Sequence, residues 1–134
     1  MANSDFAFLP FYEHLGDDKS DIPMTKLPFM GLSSSVKRFN IEGNPLNGYV
    51  LIKVGGIQHF DAEILINDRD LPEGDIGSVD ERALIYNVWF DEIPRGFLKY
   101  GENTIQIKSG PSKTDNFLIF DVVVHWRETA SDKE

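Results

Sequence analysis

Apolar and polar side chains alternate with period two along most of this chain, the pattern of strands buried on one side. "SSVKRFNI" opens the series after an irregular start. In "GYVLIKV", Val50, Ile52 and Val54 share one face, and Tyr49, Leu51 and Lys53 share the other. "AEILIN" sets Ala62, Ile64 and Ile66 against Glu63, Leu65 and Asn67. "ALIYNVWFD" predicts a strand with Leu84, Tyr86, Val88 and Phe90 on its apolar face and Ile85, Asn87, Trp89 and Asp91 opposite. "NTIQIK" buries Ile105 and Ile107. The long "NFLIFDVVVHWRE" places Leu118, Phe120, Val122, Val124 and Trp126 inward, with Asp121 and His125 outward. No segment carries a helical period. Many short strands separated by turn signals predict an all-β protein, a β-sandwich or jelly roll.

Turn chemistry sharpens this picture. "NDRDLPEGD" reads as a loop by its Asn, Asp, Pro and Gly content. In "FLKYGENTIQI", Gly101 can take a positive φ and Asn103 tolerates a tight turn, so Lys99 to Asn103 forms a corner. Phe97, Leu98, Ile105 and Ile107 anchor that corner on both sides, which suits a strand crossing from one sheet to the other. The first 31 residues differ from the rest, with Pro10, Pro23 and Pro28 and the aromatics Phe6, Phe8, Phe11 and Tyr12. They predict an extended N-terminal arm over 1–31, ahead of a sandwich over 32–128 and a frayed tail over 129–134. The four arm aromatics are interface candidates, docking either on their own domain or on a neighbouring subunit.

Three of these segments resemble one superfamily. "FLKYGENTIQI" is similar to the Leu-Lys-x-Gly-x-Asn-x-Ile segment of galactose-binding-like jelly-roll domains, among them the sugar-binding domains of β-galactosidase-type glycoside hydrolases and several carbohydrate-binding modules. "AEILINDRDL" resembles their strand and turn ending in Asn-Gly, with Asp68 where Gly is commoner. "DNFLIFDVVVHW" resembles their closing strand. The resemblance covers roughly Tyr49 to Arg127. It implies a galactose-binding-domain-like jelly roll and non-catalytic carbohydrate binding, and such domains often carry a structural calcium. These motifs speak for fold more than for function.

Composition narrows the chemistry. The 134 residues are 41% hydrophobic and contain no cysteine, so the fold needs no disulfide and no thiolate zinc site. A formal net charge of −9 disfavours nucleic acid and anionic membrane surfaces as partners. No basic apolar leader and no run of ~20 apolar residues is present, so the chain as written reads as cytoplasmic. His14, His59 and His125 show no metal-ligand spacing, and there is no nucleophile elbow. Asp61, Glu63, Asp91 and Asp121 are candidates for a glycosidase pair, but among 22 acids some pair is inevitable, and the chain reads as a non-enzyme. Asp68, Asp70 and Asp75 gather in one loop without the EF-hand spacing, a calcium candidate that the resemblance keeps open. No other cofactor is called for.

The sequence therefore offers two functions. In the first, Trp89 stacks on a sugar ring while Asn87, Asp91, His125 and Tyr49 complete a polar-aromatic face. In that arrangement the arm is equally able to cover Trp89. In the second, the sandwich is a structural building block that forms homo-oligomers through the aromatic arm.

Overall fold

The alternating strands close into two packed sheets. The computed structural model describes residues 2–16, 26–55, 63–72, 86–109 and 117–129. These form β1 (Ala2–Leu15), β2 (Phe29–Gly31), β3 (Lys37–Ile41), β4 (Asn44–Gly55), β5 (Glu63–Ile66), β6 (Arg69–Asp70), β7 (Tyr86–Ile93), β8 (Gly101–Lys108) and β9 (Phe117–Thr129). A five-stranded sheet runs β2-β1-β9-β4-β7 and a four-stranded sheet runs β3-β8-β5-β6. Every pairing is antiparallel except the short one between β1 and β2. The architecture is the all-β jelly-roll sandwich, and no helix among the described residues is long and apolar enough to cross a membrane.

The core is the meeting of the two inner faces. Val50, Ile52, Val122, Val124 and Trp126 come from the larger sheet, and Ile41, Ile64, Ile66, Ile105 and Ile107 from the smaller. Phe39 tilts onto Trp126 across the gap, with ring centroids 5.6 Å apart. Each such side chain stabilises the fold by ~1.5–3 kcal/mol on full burial.

The N-terminal segment is the first departure from expectation. It is extended, as predicted, but it is no arm: β1 pairs with β9 from Ala2 opposite Thr129 to Leu15 opposite Phe117. The sandwich thus begins at Ala2 rather than at residue 32, and Leu9, Phe11 and Leu15 enter its core. Pro10 does not break the strand because it sits at a bulge, between Pro10 and Glu13, where ladder bonds are interrupted anyway. Behind the bulge Glu13 is buried and accepts hydrogen bonds from the Ser35 N–H (2.9 Å) and hydroxyl (2.6 Å), tying the approach to β3 onto β1. At the other end β9 continues to Thr129, and residues 130–134 lie outside the described residues.

The second departure is the phase of β7. Val88 and Phe90, expected inside, are 58% and 53% exposed, while Asp91 and Ile93 point inward. Both phases of this strand are apolar, so alternation alone does not choose between them. The register does: Asp91 lies opposite buried Val50 on β4, and Ile93 is fully buried. Leu84 and Ile85 fall outside the described residues, as do Asp61 and Ala62.

The corner behaves as its residues demand. Gly101 has φ +89°, and the chain passes there from β7 in one sheet to β8 in the other. Asn103 is wholly buried and wires the corner together. Its Oδ1 accepts from the Lys99 N–H (2.9 Å) and from Asn67 Nδ2 (2.9 Å), and its Nδ2 donates to the carbonyls of Lys99 (2.8 Å) and Gly101 (3.1 Å). Asn67, in turn, donates to the Phe97 carbonyl and accepts from the Thr104 N–H. Asn67 and Asp68 have φ of +53° and +65°, the left-handed pair of a tight hairpin into β6, which is why Gly is commoner at the second position. The two motif segments are thus one structural device, a hairpin and a corner locked by a pair of asparagines.

Candidate functional site

Once Val50, Ile52 and Val54 face the core, Tyr49, Leu51 and Lys53 must face away from it, and pairing sets their neighbours. The outer face of the five-stranded sheet is therefore built in rows across four strands. Phe6, His125, Tyr49 and Glu92 make the first row, and Phe8, Val123, Leu51 and Phe90 the second. A third has Pro10 opposite Asp121, with Lys53 opposite Val88. Phe6 and Phe8 are 61% and 56% exposed, much as Val88 and Phe90 are. Single exposed apolar residues are ordinary, but four on one sheet face form a patch of the kind that marks a contact site.

The rings on this face are ordered. His125 stacks on Tyr49 with centroids 4.8 Å apart and planes 22° from parallel, and Phe90 lies 5.1 Å from the same tyrosine at 34°. His125 and Phe90 sit on the strands to either side of Tyr49, so the half-buried tyrosine ring is flanked on both sides. The ring surface open to a ligand belongs to Phe6, Phe8 and Phe90, each more than half exposed. Between Phe8 and Phe90 the half-buried Val123 and Leu51 form a lower floor. A shallow depression at its end is lined by Leu51, Lys53, Val88, Asp121 and Val123.

A bulge shapes the end of this depression. Between Pro10 and Glu13, β1 spends two residues against one on β9, and between Ile52 and Val54 the β4–β9 register also slips. Tyr12 takes the extra step with φ +51°, a left-handed conformation unusual for an aromatic residue and of the sort stored at functional positions. The shift brings its ring edge-on to Phe120 at 5.7 Å, and Lys53 Nζ lies 5.7 Å from the same Phe120 ring. The Tyr12 hydroxyl donates to the Asp121 carboxylate. That bond, then burial, then the carboxylate's charge push the phenol above its usual range. The bond belongs to the neutral phenol, so its stabilisation is complete below the unfolded-state pKa and disappears as pH rises through the raised folded one. In an ultraviolet pH titration, Tyr12→Phe should remove a step that lies above the usual tyrosine range, and Asp121→Asn should move that step down. An unchanged titration in both variants would contradict the bond.

The sequence-based candidates separate. Tyr49 and His125 come together on the outer face. Asp91 faces the other way: it is buried, and its Oδ1 accepts from the Glu92 N–H at 2.9 Å, so it does not join them. The side chains of Asn87 and Trp89 lie outside the described residues; the Trp89 backbone pairs with Ile52. Of the interface candidates, Phe6 and Phe8 are on the outer face, Tyr12 is at the bulge, and Phe11 is buried in its own core, unavailable to a neighbour. Asp68 and Asp70 are exposed on the β5–β6 hairpin, and Asp75 lies outside the described residues. No three acidic or histidine side chains gather to hold a metal among the described residues. His14 is buried, with its ring edge-on to Phe29. Phe90, Val88 and Leu51 were not anticipated as site residues; the available signal was a strand apolar on both phases.

The chain matches the model of one protein family, described as a family of unknown function (DUF7383), over residues 3–128. None of the curated proteins matches it. Among solved structures, the fold is similar to that of a family 35 carbohydrate binding module from an environmental isolate. The TM-score is 0.56 at 15% sequence identity, over 81% of this chain and 80% of the other.

Proposed function

The chain belongs to DUF7383, a family that brings no activity with it, and on the geometry we propose a non-catalytic binding module that holds a carbohydrate on the outer face of its five-stranded sheet. One observation carries this reading: the open ring faces of Phe6, Phe8 and Phe90 share a sheet face whose rim bears the polar groups of Lys53, Asp121, His125 and Tyr12. Pyranose rings present C–H groups that pack on aromatic faces, while their hydroxyls need donors and acceptors at the margin. The likeness in fold to a carbohydrate binding module supports the reading without supplying a ligand.

Affinity electrophoresis against a broad panel of neutral and acidic glycans is the test. Phe8→Ala removes an exposed ring and should leave stability within about 0.5 kcal/mol of wild type. It should weaken binding by roughly three- to tenfold, the loss of about one ring contact. A wild-type protein that no glycan of the panel retards and no insoluble polysaccharide depletes from solution would end this reading.

The exposure of Phe6, Phe8, Val88 and Phe90 on one face favours a second reading, a structural protein in which two sandwiches pack through this face. Light scattering separates it: a dimer that Phe90→Glu converts to monomer would support assembly.

A further inference from the structure

The floor of the outer face says which glycans it can take. Between the Phe8 and Phe90 rings lie Val123 and Leu51, side chains with no hydrogen-bonding group, so a ligand seated there must turn apolar surface towards the protein. Its hydroxyls must project sideways, to the rim at Lys53, Asp121 and His125 and at the Tyr12 hydroxyl. A pyranose with all its substituents equatorial does this, since both ring faces are then lined by C–H groups and every hydroxyl lies in the ring plane.

Charge restricts the ligand further. Lys53 is the single cation among the side chains of the three rows, where Asp121 and Glu92 are both acids, and the whole chain carries −9. A polyanionic glycan would be repelled by this field and, among the described side chains of these three rows, would find no cationic cluster to offset it.

The size of the aromatic platform favours a sugar over a second copy as its occupant. Four strands ~4.8 Å apart and three rows ~7 Å apart give a platform of about 14 by 14 Å, roughly 200 Å² in plan. A stable protein–protein interface needs about 800 Å² from each partner. The platform is too small for a second copy to hold through it alone, and it suits a few consecutive sugar rings.

On the reading of the domain as a carbohydrate module, we infer that its ligand is a neutral polysaccharide of equatorially linked, equatorially substituted pyranoses, a flat ribbon of the cellulose or chitin type, seated between Phe8 and Phe90. The contact is apolar, so about 0.5 M salt should leave it intact.

The experiment is depletion of the protein from solution by microcrystalline cellulose and by β-chitin, alongside gel retardation by polygalacturonate and by an axially substituted neutral galactan. Wild type should be retained on cellulose or chitin, equally with and without salt, and should not be retarded by polygalacturonate. Phe8→Ser with Phe90→Ser should lower retention about tenfold or more while the far-ultraviolet dichroism and melting curve keep a folded β-sandwich. Retardation by polygalacturonate or galactan without retention on cellulose or chitin would overturn the inference and leave the carbohydrate reading standing. Binding to none of the four would overturn the inference, and the reading itself falls only if the broader panel is also silent. Retention unchanged in the double variant would place the ligand elsewhere and overturn the inference.

Discussion

Replacing Asn103 by alanine is expected to lower the stability of the domain by about 3 kcal/mol or more, seen as a fall in the urea midpoint with little change in slope. The side chain is completely buried and makes four hydrogen bonds, to the Lys99 N–H and C=O, to the Gly101 C=O and to Asn67. Alanine leaves those partners without it in a part-buried corner, and each group orphaned away from water costs ~1–3 kcal/mol. Against a total stability of ~5–15 kcal/mol for a domain of this kind, the loss is large. Asn103→Asp should be at least as damaging, because the two carbonyls that accept from Nδ2 would then face a carboxylate oxygen. A variant at wild-type stability would mean that the corner holds without its asparagine, and that the hairpin and corner are coupled only by packing. The outer face should feel the change less directly, since the corner lies at the entry to the other sheet.

How far the sequence revealed this molecule depends on whether the two faces of each strand differ. In β4 they differ enough: Val50, Ile52 and Val54 are apolar throughout against Tyr49, Leu51 and Lys53, and that phase is the observed one. In β7 they do not. "YNVWFDEI" has apolar residues on both phases, and only pairing with β4 and the burial of Ile93 reveal that Val88 and Phe90 look outward. Strand β1 was hidden for a related reason. "FAFLPFY" is apolar at nearly every position and contains a proline, so it has neither a clean period nor an uninterrupted ladder. Phe120 fits the inward phase of β9 by alternation, yet the bulge turns it to meet Tyr12, and nothing marks Tyr12 as a residue that will take a positive φ. The corner, by contrast, was legible because Gly101 and Asn103 act through local backbone chemistry that needs no partner strand.

The same division explains the candidate site. Tyr49 and His125 sit on strands with distinct faces, and their common side could be read directly. Asp91 sits on β7, so the error in that strand's phase carried it onto the wrong side with it, and the same error hid Phe90. The aromatic platform is a product of register, assembled from four strands that are distant in sequence, and register is what a single sequence specifies least well when both faces are apolar.

Gly48→Ala should damage stability and site together. Gly48 stands opposite Trp126 on β9, next to the slip in the β4–β9 register, and no side chain fits there. A Cβ would run into the backbone carbonyl oxygen of His125 and come within 3.0 Å of Trp126 Cα and 3.1 Å of its Cβ. The obstacles are mostly backbone, which cannot swing aside as a flexible side chain can, so β4 must part from β9. Overpacking of this kind costs ~1–3 kcal/mol. The parting acts next to Tyr49, whose ring depends on a 4.8 Å stack against His125 and a 5.1 Å contact with Phe90. The predicted signature is therefore double: a lowered melting temperature, and His125 ring protons that lose the ring-current shift imposed by Tyr49 in the wild-type proton spectrum. On the carbohydrate reading, glycan retention should fall as well, because Phe90 loses the neighbour that orients it. A Gly48→Ala protein that melts like wild type and keeps the shifted His125 signals would show that β4 and β9 have slack at this point, and that the stack is not held in place by the close approach of the two strands.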